Sequence, residues 1–141
     1  MADFLKSVAG AFSALIARGQ LAVESSTYDA QAFGNAVVVL AGSSLRIRVI
    51  RDRDDTFADA ASCLDPENWY PLQRVIRAAG AYPPPPEGLL TPGEAADLVE
   101  RHYAALNRGL AAAEWDRTRV NLERLGQEAL ARMTSRVQGC E

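Results

Sequence analysis

The side chains able to do acid–base chemistry concentrate in one stretch, where Asp52, Asp54, Asp55 and Asp59 are interleaved with or follow Arg46, Arg48, Arg51 and Arg53. Clustered carboxylates act as a general acid and base when their surroundings drive their pKa values apart. That chemistry needs a partner group, and the chain has a single histidine, His102, in the middle of an amphipathic run. Cys63 and Cys140 are far apart, belong to no CxxC pair, and have no candidate base beside them in sequence. The glycines form neither GxxxxGK[ST] nor GxGxxG, and no HExxH or His/Cys cluster occurs. The expectation is no catalytic residue, no metal and no cofactor. The chain reads as a protein that works by binding.

The arginine run invites a phosphate-binding reading. Strand alternation, however, sets Arg46 and Arg48 on one face and Arg51 and Arg53 on the other, and the neighbouring aspartates favour local ion pairing. The stacking aromatics of an RNA-binding sheet are missing from that stretch. Over 141 residues, 15 basic and 18 acidic side chains leave a net charge of −3, whereas a phosphate binder carries a basic excess. A nucleic-acid partner is therefore not expected. Aromatic candidates for a protein contact are Trp69 and Tyr70, adjacent residues that a helix would place about 100° apart.

The elements that must position these residues divide at a proline-rich segment. The apolar residues Phe4, Leu5, Val8, Phe12, Leu15 and Ile16 recur every three or four positions, which predicts a helix over 2–17 that Gly19 ends. Asp3 precedes the lone Lys6 and no long apolar core follows, so this is read as a folded helix and not a signal peptide, with no membrane partner. Leu21–Tyr28, Phe33–Leu40, Leu45–Ile50 and Thr56–Ala61 carry strand patterns joined by short polar connectors, among them Gly42-Ser43-Ser44 and Asp52-Arg53-Asp54-Asp55. The economical topology is an antiparallel four-stranded meander.

Asp65-Pro66-Glu67-Asn68 has the residue order of a helix start, which predicts a helix carrying Trp69, Leu72, Val75 and Ile76 and closed by Gly80. Tyr82 to Gly88 includes four consecutive prolines and reads as a stiff extended spacer. Thr91-Pro92-Gly93-Glu94 is a capping box that opens a long helical tail. Leu98, Val99, His102, Tyr103, Leu106 and Leu110 form one apolar series, and Trp115, Leu122, Leu125, Ala129, Met133 and Val137 a second. One unbroken helix would be roughly 70 Å long, so a break near Gly109–Glu114 and an antiparallel helical hairpin are expected. The fold class is α+β in a single domain, with a sheet-bearing part over 1–81, a connector over 82–90 and a helical tail over 91–141. An apolar fraction of 48% with 23% charged residues suits one core that buries about two-thirds of the unfolded surface. Both cysteines are expected as free thiols in a reducing cytoplasm.

Phe33-Gly34-Asn35 ahead of a valine-rich strand, Leu45 through Asp52-Arg53, and Asn68-Trp69-Tyr70 together resemble small bacterial proteins, some of which look like immunity proteins of polymorphic or interbacterial toxin systems. The resemblance covers the middle third to half of the chain. In that pattern a glycine follows the Asp-Arg pair, where Asp54 stands here. The resemblance implies a cognate protein toxin, encoded by an adjacent gene, whose active site the chain occludes. On that reading Asp52, Asp54, Asp55 and Asp59 are electrostatic contacts and Trp69 or Tyr70 an aromatic anchor. The alternative is a non-enzymatic helical adaptor or oligomerisation module, suggested by the long apolar series of the tail.

Overall fold

The computed structural model describes residues 2–29, 31, 34–81 and 83–139, without the side chains of 2 and 135–139. The N-terminal helix forms as α1 (Ala2–Ala11) and α2 (Ser13–Ala17). The joint at Phe12 keeps the helical ladder, since its N–H donates to Val8 O and its carbonyl accepts from Ile16 N, each at 3.0 Å. Phe4, Val8, Phe12 and Leu15 are buried, as their spacing requires. Gly19 closes the helix with φ +73°.

Strands β1 (Ala22–Asp29), β2 (Asn35–Ala41), β3 (Leu45–Asp52) and β4 (Asp55–Ser62) pair antiparallel in sequence order. Phe33, the expected start of the second strand, lies outside the described residues. A fifth strand, β5 (Tyr70–Pro71), pairs with Ala60 and Asp59, so the meander has five strands where four were expected. Two residues are too few to carry a period, and one of them is a proline, which an edge position tolerates because no ladder N–H is needed there. The Gly42-Ser43-Ser44 turn is closed by Gly42 N donating to Leu45 O at 2.8 Å.

Register explains the core. Val49 faces Val38 and Ala58, and Ile47 faces Leu40 and Ala60, so three strands place small and branched apolar side chains in rows on one face. Val75 and Ile76 of α3 (Leu72–Ala78) and Val99 of α4 (Pro92–Arg101) join the same cluster. So do Leu106 of α5 (Tyr103–Gly109) and Trp115, Leu122 and Leu125 of α6 (Trp115–Gly139). The capping box forms: Glu94 N donates to Thr91 Oγ1 at 3.1 Å and Thr91 N to Glu94 Oε1 at 3.0 Å.

The helical tail breaks twice, at His102 and over 110–114, and only the second break was expected. Its last helix does not pair chiefly with the preceding two; α6 packs mainly on α3. Gly109 is the reason, since a Cβ there would lie 2.9 Å from Ala79 Cβ, so the turn closes directly on the end of α3. Asn121 Nδ2 adds a hydrogen bond to Ala78 O at 3.2 Å. The apolar series of α6 is buried through Leu125 and then leaves the body, with Met133 64% exposed. The side chain of Val137 lies outside the described residues.

Asp65 to Asn68 does not open a helix, contrary to expectation. Asn68 Nδ2 donates to both Asp65 carboxylate oxygens, at 2.8 and 2.9 Å, which fixes a turn, and α3 begins only at Leu72.

Gly42 is a steric requirement, because a Cβ there would lie 2.5 Å from the Gln20 carbonyl oxygen. Gly42→Ala is expected to cost about 1–3 kcal/mol, the usual penalty of overpacking. Gly10, with open space around it in α1, gives the opposite sign: Gly10→Ala should stabilise by about 0.5–1 kcal/mol. Urea denaturation midpoints of the two variants check both.

Candidate functional site

The six residues singled out for partner contact fall into two places. Asp52 and Asp55 face one another across the β3–β4 ladder, and the two-residue turn Arg53-Asp54 joins them. Arg53 adopts φ 60°, and its N–H donates to Asn35 Oδ1 at 2.8 Å. Asp52, Asp54 and Asp55 are all exposed at this tip. None of their carboxylates has a hydrogen-bond or ion-pair partner among the described residues.

Asp59 stands four residues further along β4, opposite Arg48, and accepts from Arg48 Nε at 3.1 Å. It is committed within the chain. Both guanidinium carbons of Arg46 and Arg48 lie over the Trp69 ring, at 5.0 and 4.5 Å from its centroid. Arg46 also forks onto Glu24, at 2.9 and 3.2 Å, and its Nη1 donates to Pro66 O at 2.8 Å. Arg46 and Arg48 thus pair across strands, not with the aspartates beside them in sequence, and an aromatic does stack on them. Arg51, on the opposite face as alternation requires, lies over Phe4 at 5.0 Å and donates to Gly34 O at 3.1 Å. Tyr70 packs against the core and is engaged as well. Burial is the main cause raising its phenol pKa, with Asp65 and Glu123 adding to it.

The acidic tip borders a feature that the sequence reading missed. Residues 83–90 cross over α4 as a strap, tied down at three points. Arg74 Nη2 donates to Glu87 Oε1 at 2.7 Å, Gln73 Nε2 to Gly88 O at 3.0 Å, and Leu90 N to Thr56 O at 3.0 Å. Between the strap and α4 runs a groove of about 520 Å³. Its helical wall is Glu94, Asp97, Leu98, Arg101 and His102, whose spacing of three and four places them on one side of the helix. A second cavity of about 200 Å³, lined in part by Asp54 and Asp55, shares Leu89, Leu90 and Glu94 with it. The tip and the groove therefore form one continuous surface, with Leu89 62% exposed between them. Tyr82, at the start of the proline segment, lies outside the described residues.

His102 is 8% exposed, lines the groove, and makes no side-chain hydrogen bond among the described residues. Burial, reinforced by the Arg101 charge, lowers its pKa from 6.5, so at neutral pH the imidazole is uncharged and keeps one donor and one acceptor. The available signals for this site were the capping box that fixes Glu94 and the spacing of Asp97, Leu98, Arg101 and His102. Cys63 is an exposed free thiol whose pKa is raised, chiefly by burial, away from reactivity. Cys140 lies outside the described residues. Among the described residues no group of three His, Cys, Asp or Glu side chains is placed to hold a metal ion, and no helix is long and apolar enough to cross a membrane.

The lowered pKa of His102 has a fixed sign. The folded state takes up the proton less readily than the unfolded chain, so this contribution to stability is complete above pH 6.5 and is lost as pH falls through the depressed value. Between pH 7.5 and 5 the wild type should lose more stability than His102→Gln, measured by denaturation midpoints. Equal losses would show that His102 is not held neutral.

Set against protein-family models, curated proteins and solved structures, the chain matches none.

Proposed function

We propose that the chain is a non-enzymatic protein-binding module of the immunity type, which works in the cytoplasm by occluding the active site of a basic toxin domain. The observation that carries this reading is the β3–β4 hairpin tip, where Asp52, Asp54 and Asp55 are exposed and have no partner among the described residues. Unpaired carboxylates at the end of a stiff hairpin cost the fold little and project a negative field that speeds encounter with a basic cleft. Asp59 and Trp69 both engage Arg48 within the chain, so the proposed contact centres on the hairpin tip. The apolar anchor passes to Leu89, the exposed leucine beside the tip.

Reversing Asp52, Asp54 and Asp55 together to lysine is expected to slow association with the toxin encoded by the neighbouring gene at least tenfold at low salt. Folding stability should stay within about 1.5 kcal/mol, three times the usual range of a single exposed substitution. Surface plasmon resonance at two ionic strengths, alongside a toxicity assay, reads both. Unchanged association and undiminished neutralisation would remove the hairpin from the interface.

A second reading has its own observation. On α6, Leu130 and Met133 are 63% and 64% exposed on turns that lie beyond the buried part of the helix. If these turns pair with another copy of the chain, light scattering should give a dimer mass that Leu130→Glu with Met133→Glu halves. A monomer at all concentrations excludes self-assembly.

A further inference from the structure

The groove beneath the strap is charged in one direction. Along the continuous surface from the hairpin tip, Asp54, Asp55, Glu94 and Asp97 contribute four carboxylates against the single guanidinium of Arg101. Glu87 also lines it but is neutralised by Arg74. Glu94 Oε1 also accepts the Thr91 N–H that closes the capping box of α4. Between these charges the walls are apolar, formed by the prolines with Leu89, Leu90 and Leu98.

At the far end stands the second, independent observation. The His102 imidazole is more than nine-tenths buried, has no hydrogen-bond partner among the described residues, and lines this cavity. Its ring nitrogens are not sealed off from solvent, so at the end of this apolar trough they are open to a peptide N–H or carbonyl. From Glu94 to His102 the helix rises about 12 Å, a length that about four residues of extended chain cover.

We propose that this groove binds an extended peptide segment of the protein partner. A basic residue of the segment sits at the acidic hairpin end, apolar residues lie on Leu98 beneath the prolines, and a backbone amide group meets His102. The inference rests on the protein-binding reading above and adds the chemistry of the bound segment. The prolines suit such a site because their backbone is stiff before binding, so little is lost on ordering the strap.

The test uses the full chain and four capped peptides: acetyl-Arg-Leu-Ala-Leu-amide, its reversed sequence acetyl-Leu-Ala-Leu-Arg-amide, and the same two with Glu in place of Arg. Binding is followed by amide and imidazole chemical shifts. At least one arginine peptide should saturate, bind ten or more times tighter than its glutamate twin at low salt, and shift resonances of residues 54–55, 89–90 and 94–102. The exposed substitution Asp97→Lys should reduce that preference at least fivefold while leaving the other resonances of the protein in place. His102→Gln, which keeps a donor and an acceptor, should bind better than His102→Leu. No saturable binding by either arginine peptide, no preference over glutamate, or shifts mapping outside the groove would each overturn the proposal. Such a failure while the hairpin lysine variant still loses its toxin partner would discard the groove alone. If that variant kept its partner as well, the protein-binding reading of the hairpin would fall too.

Discussion

The strap over α4 depends on two adjacent side chains at the start of α3. Gln73 is almost wholly buried and its amide holds Gly88 O, while the Arg74 guanidinium forks onto Glu87. Four consecutive prolines cannot hold themselves in place, because they have no N–H to donate to a neighbouring strand or helix. The tie must come from outside the segment, and α3 supplies it. With the strap fixed at Glu87 and Gly88, Leu90 N reaches Thr56 O, and the free edge of β4 beyond β5 is covered. The groove then exists as a shaped space because its outer wall is held and its inner wall is a helix with a closed capping box.

The position of α3 depends in turn on Trp69. Arg46 and Arg48 project from the same side of β3, and the indole lies against both guanidinium groups. Each such contact is worth about 0.5–1 kcal/mol at a partly exposed site. The larger consequence is geometric: the chain leaving β4 is captured at Trp69, runs two residues as β5, and turns into α3 at Leu72 with Gln73 and Arg74 aimed at the strap. Glu24 and Asp59 compensate the two cations across strands. The hairpin tip, by contrast, keeps three carboxylates without a partner among the described residues. Charge is thus divided between a neutralised cluster around Trp69 and an acidic hairpin tip.

Much of this was legible in the residues. Period-two alternation in Leu45–Ile50 and period-three-to-four spacing in the first helix report burial directly, and Thr91 with Glu94 reports a cap through two hydrogen bonds that need no tertiary help. The tip carboxylates were legible as a polar connector between strands. The helix start at Asp65 was misread because its rules are local. The side chains of Asp65 and Asn68 bond to each other, and the arginine pair, distant in sequence, holds Trp69 outside a helix. The packing of α6 was hidden for a related reason, since the apolar series says that a helix is buried but not against which neighbour. The groove was the least legible feature. Its walls come from the proline segment and α4, and its shape exists only because residues 73 and 74 reach across to 87 and 88.

A strap held in this way makes a direct demand on the Leu90 amide, measured by native-state hydrogen exchange. The bond to Thr56 O should slow its exchange by at least a hundredfold relative to an unstructured peptide, and Gln73→Ala with Arg74→Ala should abolish that protection while the β2–β3 amides keep theirs. A Leu90 amide that exchanges freely in the wild type would contradict a fixed strap, and with it the preformed groove.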